Sequence, residues 1–286
     1  MKTYQKVALI GLLVGFVLIV VGFALAHFRF SDLSSDGPFE TKIYRAAAEE
    51  HISSVEVNVE NSEIHLVRAQ AGENLSVSYE ENKNYHHEIR VENGKFSIKS
   101  VYERKFFFFN FNWHTPKLTV YLDSDAYDSI SVVTKNGAVE SEIPLTVGAF
   151  RAESKNGAFE IEHLTVQGDM TLSTSNGAIE LEDVHASAVD AKTSNGKITA
   201  QDVAAETRLF LRTSNGRIEV QNILSADIDL HTSNGAIRGN IAGKREDYRI
   251  SADTSNGSNN LSDSSTGEKK LTVKTSNGSI ELFFTE

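Results

Sequence analysis

The sequence predicts an all-β protein, a parallel β-helix or solenoid wound from rungs of about 20 residues and preceded by one N-terminal transmembrane helix. Three observations carry that reading. An Asn-Gly pair recurs at steps of 19 to 22 residues, apolar residues stand at fixed offsets from each glycine, and an uncharged apolar run fills residues 7–26. The expected organisation is a cytoplasmic tip and anchor over 1–27 and a juxtamembrane linker over 28–50, then irregular rungs with an aromatic cap over 51–117 and the regular array over 118–286.

The run VALIGLLVGFVLIVVGFALA has the 20 residues that a helix needs to cross a hydrocarbon core ~30 Å thick. Lys2 and Lys6 precede it and no lysine follows closely. The positive-inside rule therefore keeps the N-terminus in the cytoplasm and exports the rest. The expected location is the cell membrane, single-pass, with the lipid bilayer as a partner and the C-terminal domain extracellular. Ala24-Leu25-Ala26 also fits a small-residue cleavage site, which leaves a removed secretory leader as the alternative. Arg29 to Pro38 is polar and turn-rich, as suits a short linker.

The recurring pairs are Asn136-Gly137, Asn156-Gly157, Asn176-Gly177, Asn195-Gly196, Asn215-Gly216, Asn234-Gly235, Asn256-Gly257 and Asn277-Gly278. Seven residues before the glycine, Ile130, Phe150, Met170, Val189, Leu209, Ile228, Ile250 and Leu271 are all apolar. The position five before it is apolar too, and three before it stands Thr or Ser every time. That period of two describes a strand with one buried face. On this reading the buried set runs on through Thr to Asn, and the glycine supplies a positive φ at a corner. Two residues beyond the glycine the column is again apolar, with Asn259 alone departing from it.

Asn-Gly between apolar runs is also a hairpin signal, and eight antiparallel hairpins are the competing arrangement. A hairpin series has no reason to hold a fixed period with the same residue at the same offset. Stacked rungs do, because they set identical residues ~4.8 Å apart. Inward asparagines in register could then donate and accept along the stack, and the threonine hydroxyls likewise. Ile52 to Val67 shows the same alternation around Asn61-Ser62 and reads as a degenerate first rung. Asn93-Gly94 is a second candidate, more hairpin-like. Phe106, Phe107, Phe108, Phe109, Phe111 and Trp113 lie between these segments and the regular array. They read as a cap over the open end of the core or as a membrane or partner contact.

The chemistry of the chain narrows its function. Without cysteine it holds no disulfide and no thiolate metal site. A net charge of −11 disfavours generic nucleic-acid binding. No phosphate-binding loop, nucleophile elbow or zinc helix appears in the sequence, and no cofactor or catalytic residue is assigned. His86-His87 reads as surface histidine, with the two rings on opposite strand faces. Glu140, Glu160 and Glu180 stand three residues past their glycines, and Glu142, Glu162 and Glu182 stand five past. Stacking would place them in two parallel columns, read as a solvated face or as a strip for divalent cations or cationic peptides.

The Thr-Ser-Asn-Gly repeat over Leu118 to Phe284, and more loosely from Ile52, resembles a family of bacterial "putative adhesin" repeat domains. These carry the motif once per β-helical coil and often an N-terminal membrane helix. Some members resemble LiaG-type membrane-anchored proteins encoded with cell-envelope stress systems. The resemblance implies a cell-surface or envelope role and carries over no catalytic residues. The expected function is a non-catalytic scaffold, adhesin-like binder or envelope-stress accessory meeting envelope polymers, cationic peptides or a membrane protein. The alternative is a β-helix enzyme acting on wall polysaccharide. That chemistry needs two carboxylates in different environments, which equivalent solvated glutamates do not provide.

Overall fold

A computed structural model of the chain describes residues 12–18, 21, 37–103 and 114–285. The aromatic run Phe106 to Trp113 lies outside the described residues. Of the expected membrane span, residues 12–18 and 21 are described and are helical, and Leu12, Leu13, Val14, Phe16, Val17, Leu18 and Val21 are exposed. No helix among the described residues is long and apolar enough to cross a membrane. The β-structured unit comprises Phe39–Tyr102 and Thr115–Glu286.

That unit is all-β, and its regular part is a parallel stack of coils. The strands Phe159–Ser173, Ile179–Lys192, Ile198–Arg212 and Ile218–His231 each pair in parallel with the next. The register sets Phe159 against Ile179, Ile179 against Ile198, and Ile198 against Ile218. Alternation does the sorting, because a strand turns every second side chain inward. Met170, Leu172, Leu209, Leu211, Ile228 and Leu230 are all fully buried. Each such side chain contributes roughly 1.5–3 kcal/mol on burial. Parallel pairing repeats this set in every coil, so one core runs the length of the stack.

The Asn-Gly corner differs from the sequence expectation in two ways. Asn136, Asn156, Asn176, Asn195, Asn215, Asn234, Asn256 and Asn277 are exposed, not inward. The strand parity breaks two residues earlier than expected, after the buried threonine, so that the asparagine points out and the glycine points in. The ladder between asparagines exists on the outside: Asn195 Nδ2 donates to Asn176 Oδ1 and Asn215 Nδ2 to Asn195 Oδ1, both at 2.6 Å. The second correction concerns the glycines, none of which has a positive φ at this corner. They are needed for close approach. A Cβ on Gly177 would lie 1.9 Å from the carbonyl oxygen of Gly157, and one on Gly216 would lie 1.8 Å from that of Gly196.

Threonine closes this corner from inside. Thr174, Thr193, Thr213, Thr232 and Thr275 are buried. Thr193 Oγ1 donates to Gly177 O at 3.0 Å and accepts from Gly196 N at 3.1 Å, and the neighbouring coils repeat the pattern. The hydroxyl thus satisfies two buried backbone groups, with no hydroxyl-to-hydroxyl ladder. Positive φ belongs to a second corner six residues past the glycine, at His163, Asp183, Asp202 and Asn222, with φ between 51° and 55°. Asp and Asn tolerate that region better than most residues.

The coils do not stack in sequence order. Ile218–His231 pairs with Lys269–Thr275, and Ile237–Ala242 pairs with Ile280–Thr285. Tyr248–Thr254 then pairs on the far side of Lys269–Thr275. The last coil of the chain is therefore inserted before the end of the stack. The asparagine ladder follows the same order, Asn234 to Asn277 to Asn256. This explains Asn259: its coil is terminal and has no successor to pack against.

At the other end the ladder begins at Asn61, which accepts from Asn136. Ser54–Val59 pairs in parallel with Ala126–Thr134, and Glu63–Arg68 with Val139–Ser141. Antiparallel strands follow. Ser76–Glu81 joins Glu40–Arg45 to Lys117–Leu122. Tyr85–Glu92 and Lys95–Tyr102 form a hairpin closed by Asn93 and Gly94, both with positive φ. That is the two-residue turn Asn-Gly favours, so this Asn-Gly is a hairpin and not a rung.

Candidate functional site

The outward face after the asparagine corner carries the expected carboxylates in line. Glu160 pairs in register with Glu140 on one side and Glu180 on the other, and Glu162 pairs with Glu182. Glu142 lies near enough to act on Glu160 electrostatically. Burial pushes the Glu160 pKa up, and the charges of Glu140, Glu180, Glu162 and Glu142 push it the same way.

A histidine and a lysine bracket the first column. His65 Nδ1 lies 3.0 Å from Glu140, and His65 Nε2 lies 3.3 Å from Glu63. Lys197 Nζ reaches Glu180 at 3.4 Å and Glu219 at 3.7 Å. Glu160, in the middle, has carboxylates on both sides. The donor atoms of Glu63, His65 and Glu140 lie within 4.8 Å of one another. Each His65 nitrogen faces a different carboxylate, so the ring stands between Glu63 and Glu140.

At the second corner His163 Nδ1 meets Asp183 Oδ2 at 2.9 Å, and His185 Nε2 lies 3.6 Å from the same carboxylate. The hydrogen bond to Asp183 raises the His163 pKa, and the same bond lowers that of Asp183. All three side chains are about half exposed.

His87 is not a surface histidine. Its side chain is 0% exposed and stands edge-on to Tyr79 and Tyr85, with ring centroids 5.0 Å away in each case. Burial lowers its pKa to about 4, against the opposing pull of Glu81. Burial also acts to raise the Glu81 pKa, but the hydrogen bonds from Lys42 Nζ at 2.7 Å and from the His87 backbone N–H at 2.6 Å outweigh it and leave the pKa lowered. Two adjacent histidines gave no sequence signal of this; the packing of the ring against Tyr79, on a different strand, and Tyr85 decides it.

The face before the corner was not singled out from the sequence. There the register aligns Lys192 with Arg212, Arg212 with His231 and His231 with Lys274. The signal was present at one offset from the glycine in four copies, but spread over 83 residues of sequence.

Such a molecule is an all-β repeat protein that aligns its outward side chains in columns along a parallel stack. The sequence profile of the Toastrack DUF4097 family matches residues 52–286, and the chain belongs to that family. Its fold is similar to the crystal structure of a "putative adhesin" from Bacteroides fragilis, with a TM-score of 0.55, 15% identity, and coverage of 87% of this chain and 99% of that one. It is also similar to a "putative lipid binding protein" from Parabacteroides distasonis, with a TM-score of 0.50, 15% identity, and coverage of 86% and 97%. No curated protein matches the sequence.

Proposed function

We propose that the chain is a non-catalytic binder of the bacterial cell envelope, anchored by residues 7–26 and presenting its stack outside the membrane as a scaffold, adhesin-like surface or LiaG-type envelope-stress accessory. The observation that carries this reading is the alignment of Glu140, Glu160 and Glu180, beside Glu162 and Glu182, on one open face. Like charges one coil apart repel by about 1 kcal/mol even at the dielectric constant of water. A cationic ligand relieves that repulsion, so the columns suit divalent ions or cationic peptides. The names of the two fold relatives support a binding role. The exposed side chains of Leu12, Leu13, Val14, Phe16, Val17, Leu18 and Val21, inside an uncharged run, support the anchor.

The test is binding of a cationic peptide to the full chain and to the variant Glu140→Gln, Glu160→Gln, Glu180→Gln. Binding that weakens with salt and is lost in the variant supports the reading, since exposed charges are screened over ~8 Å at physiological ionic strength. Unchanged binding returns the columns to a merely solvated face. Recovery of the protein in the membrane fraction, with its C-terminus open to protease added outside intact cells, tests the anchor. A soluble form starting at His27 would refute it.

A further inference from the structure

We propose that the column Lys192, Arg212, His231 and Lys274 is a binding track for a linear acidic polysaccharide lying along the stack. The inference rests on the reading of the chain as a binder, but it names a different face and a ligand of opposite charge.

Four basic residues occupy successive coils in direct register, between Ser173 at one end and Asp253 at the other. Neighbouring coils are ~4.8 Å apart, close enough for like charges to repel. Lys192 is offset by Asp190 at 2.7 Å. Among the described residues neither Arg212 nor Lys274 has an ion-pair partner, and both are exposed. A chain carrying −11 overall thus places two uncompensated cations on either side of a half-buried histidine. Burial lowers the His231 pKa first, Arg212 and Lys274 lower it further, and Asp229 opposes them.

The surroundings choose the kind of anion. Two residues back along the same strands stand Asp190, Phe210 and Asp229, aligned on the same face. A flat anionic membrane laid on this face would meet those aspartates. A single thread over the basic column would not. On the other side of the column Ser194, Ser214, Ser233 and Ser276 stack through backbone hydrogen bonds next to the exposed asparagine ladder. That neutral edge presents hydroxyls and amides, partners for the hydroxyls of a sugar. An extended pyranose residue is about as long as one strand spacing, so a chain with one carboxylate per sugar matches the column coil for coil. Phe210 lies under Lys192 and Arg208, at 5.0 and 4.6 Å from its ring centroid, a cation–π contact at the start of the track.

The experiment measures binding of octagalacturonate to the full chain by calorimetry, with monomeric galacturonate, inorganic polyphosphate and phosphatidylglycerol vesicles as comparison arms. The expected result is salt-sensitive binding of the octamer and none of the monomer. The octamer should bind at least tenfold more weakly to the variant Arg212→Gln, Lys274→Gln, and unchanged to Arg238→Gln, which removes a charge from another face. Thermal unfolding of each variant checks that it folds. As a second readout on the unaltered protein, the octamer should raise the His231 titration midpoint followed by NMR, because bound carboxylates favour the imidazolium. Absence of octamer binding, binding indifferent to the double variant, or an unmoved His231 overturns the proposal. Polyphosphate or vesicles binding through the column in place of the octamer overturns the polysaccharide assignment. Cationic-peptide binding in the same samples reports separately on the acidic columns, so the two readings fail independently.

Discussion

A Cβ on Gly196 would lie 1.8 Å from the carbonyl oxygen of Gly177, the same oxygen that accepts the Thr193 hydroxyl at 3.0 Å. The glycine of the repeat is thus fixed by the coil beneath it and not by its own backbone angles. Gly196→Ala must push two coils apart, and both are held by coils beyond them. Overpacking of a core costs about 1–3 kcal/mol where side chains can shift, and here the obstacle is backbone. The variant should lose at least that much stability in urea unfolding. A loss below ~0.5 kcal/mol would show that the coils can separate freely.

The inner and outer ladders should differ in cost. Thr213→Val keeps the shape but strips the buried Gly196 carbonyl and the part-buried Gly216 N–H of their partner, and an unsatisfied buried group costs ~1–3 kcal/mol. Asn215→Ala removes the exposed bonds to Asn195 and from Asn234, where water can substitute. The expected loss is about 1 kcal/mol or less. Equal losses in the two variants, measured side by side, would contradict the burial assigned to this corner.

Stability should fall in mild acid because of His87. Its folded pKa is depressed to about 4 from an ordinary value of 6.5. The unfolded chain therefore takes up this proton first as pH drops. The contribution is present above pH 6.5 and is lost as pH falls toward 4, on the order of 3 kcal/mol if the full shift is expressed. His87→Phe, between Tyr79 and Tyr85, should flatten the pH dependence of the urea midpoint over that window. An unaltered slope would place the acid sensitivity elsewhere.

A chain ending at Glu268 should lose more than its last two strands. Lys269–Thr275 lies between Ile218–His231 and Tyr248–Thr254, so its removal strands the terminal coil. Hydrogen exchange at Arg249 to Thr254 should lose its protection in the truncated chain. Retained protection would mean that the terminal coil can close directly onto the Asn234 coil.

The sequence by itself determined the coil. Alternation at fixed offsets from each glycine sets which side chains are buried, and a constant period can be satisfied only by stacking like on like. It also determined that Glu140, Glu160 and Glu180 stand in line, since equal offsets in equal coils share a register. Long-range placement lay beyond it. The direction of the asparagines depends on where parity breaks, and the contact between Gly177 and Gly196 sets that point, which no window of one coil contains. The insertion of the last coil ahead of the Asn256 coil depends on which open edge is left without a partner. The burial of His87 and the alignment of Lys192, Arg212, His231 and Lys274 arise in the same way, because each is a relation between residues on different strands. Local periodicity fixes what a coil looks like, and tertiary pairing fixes which coil it touches.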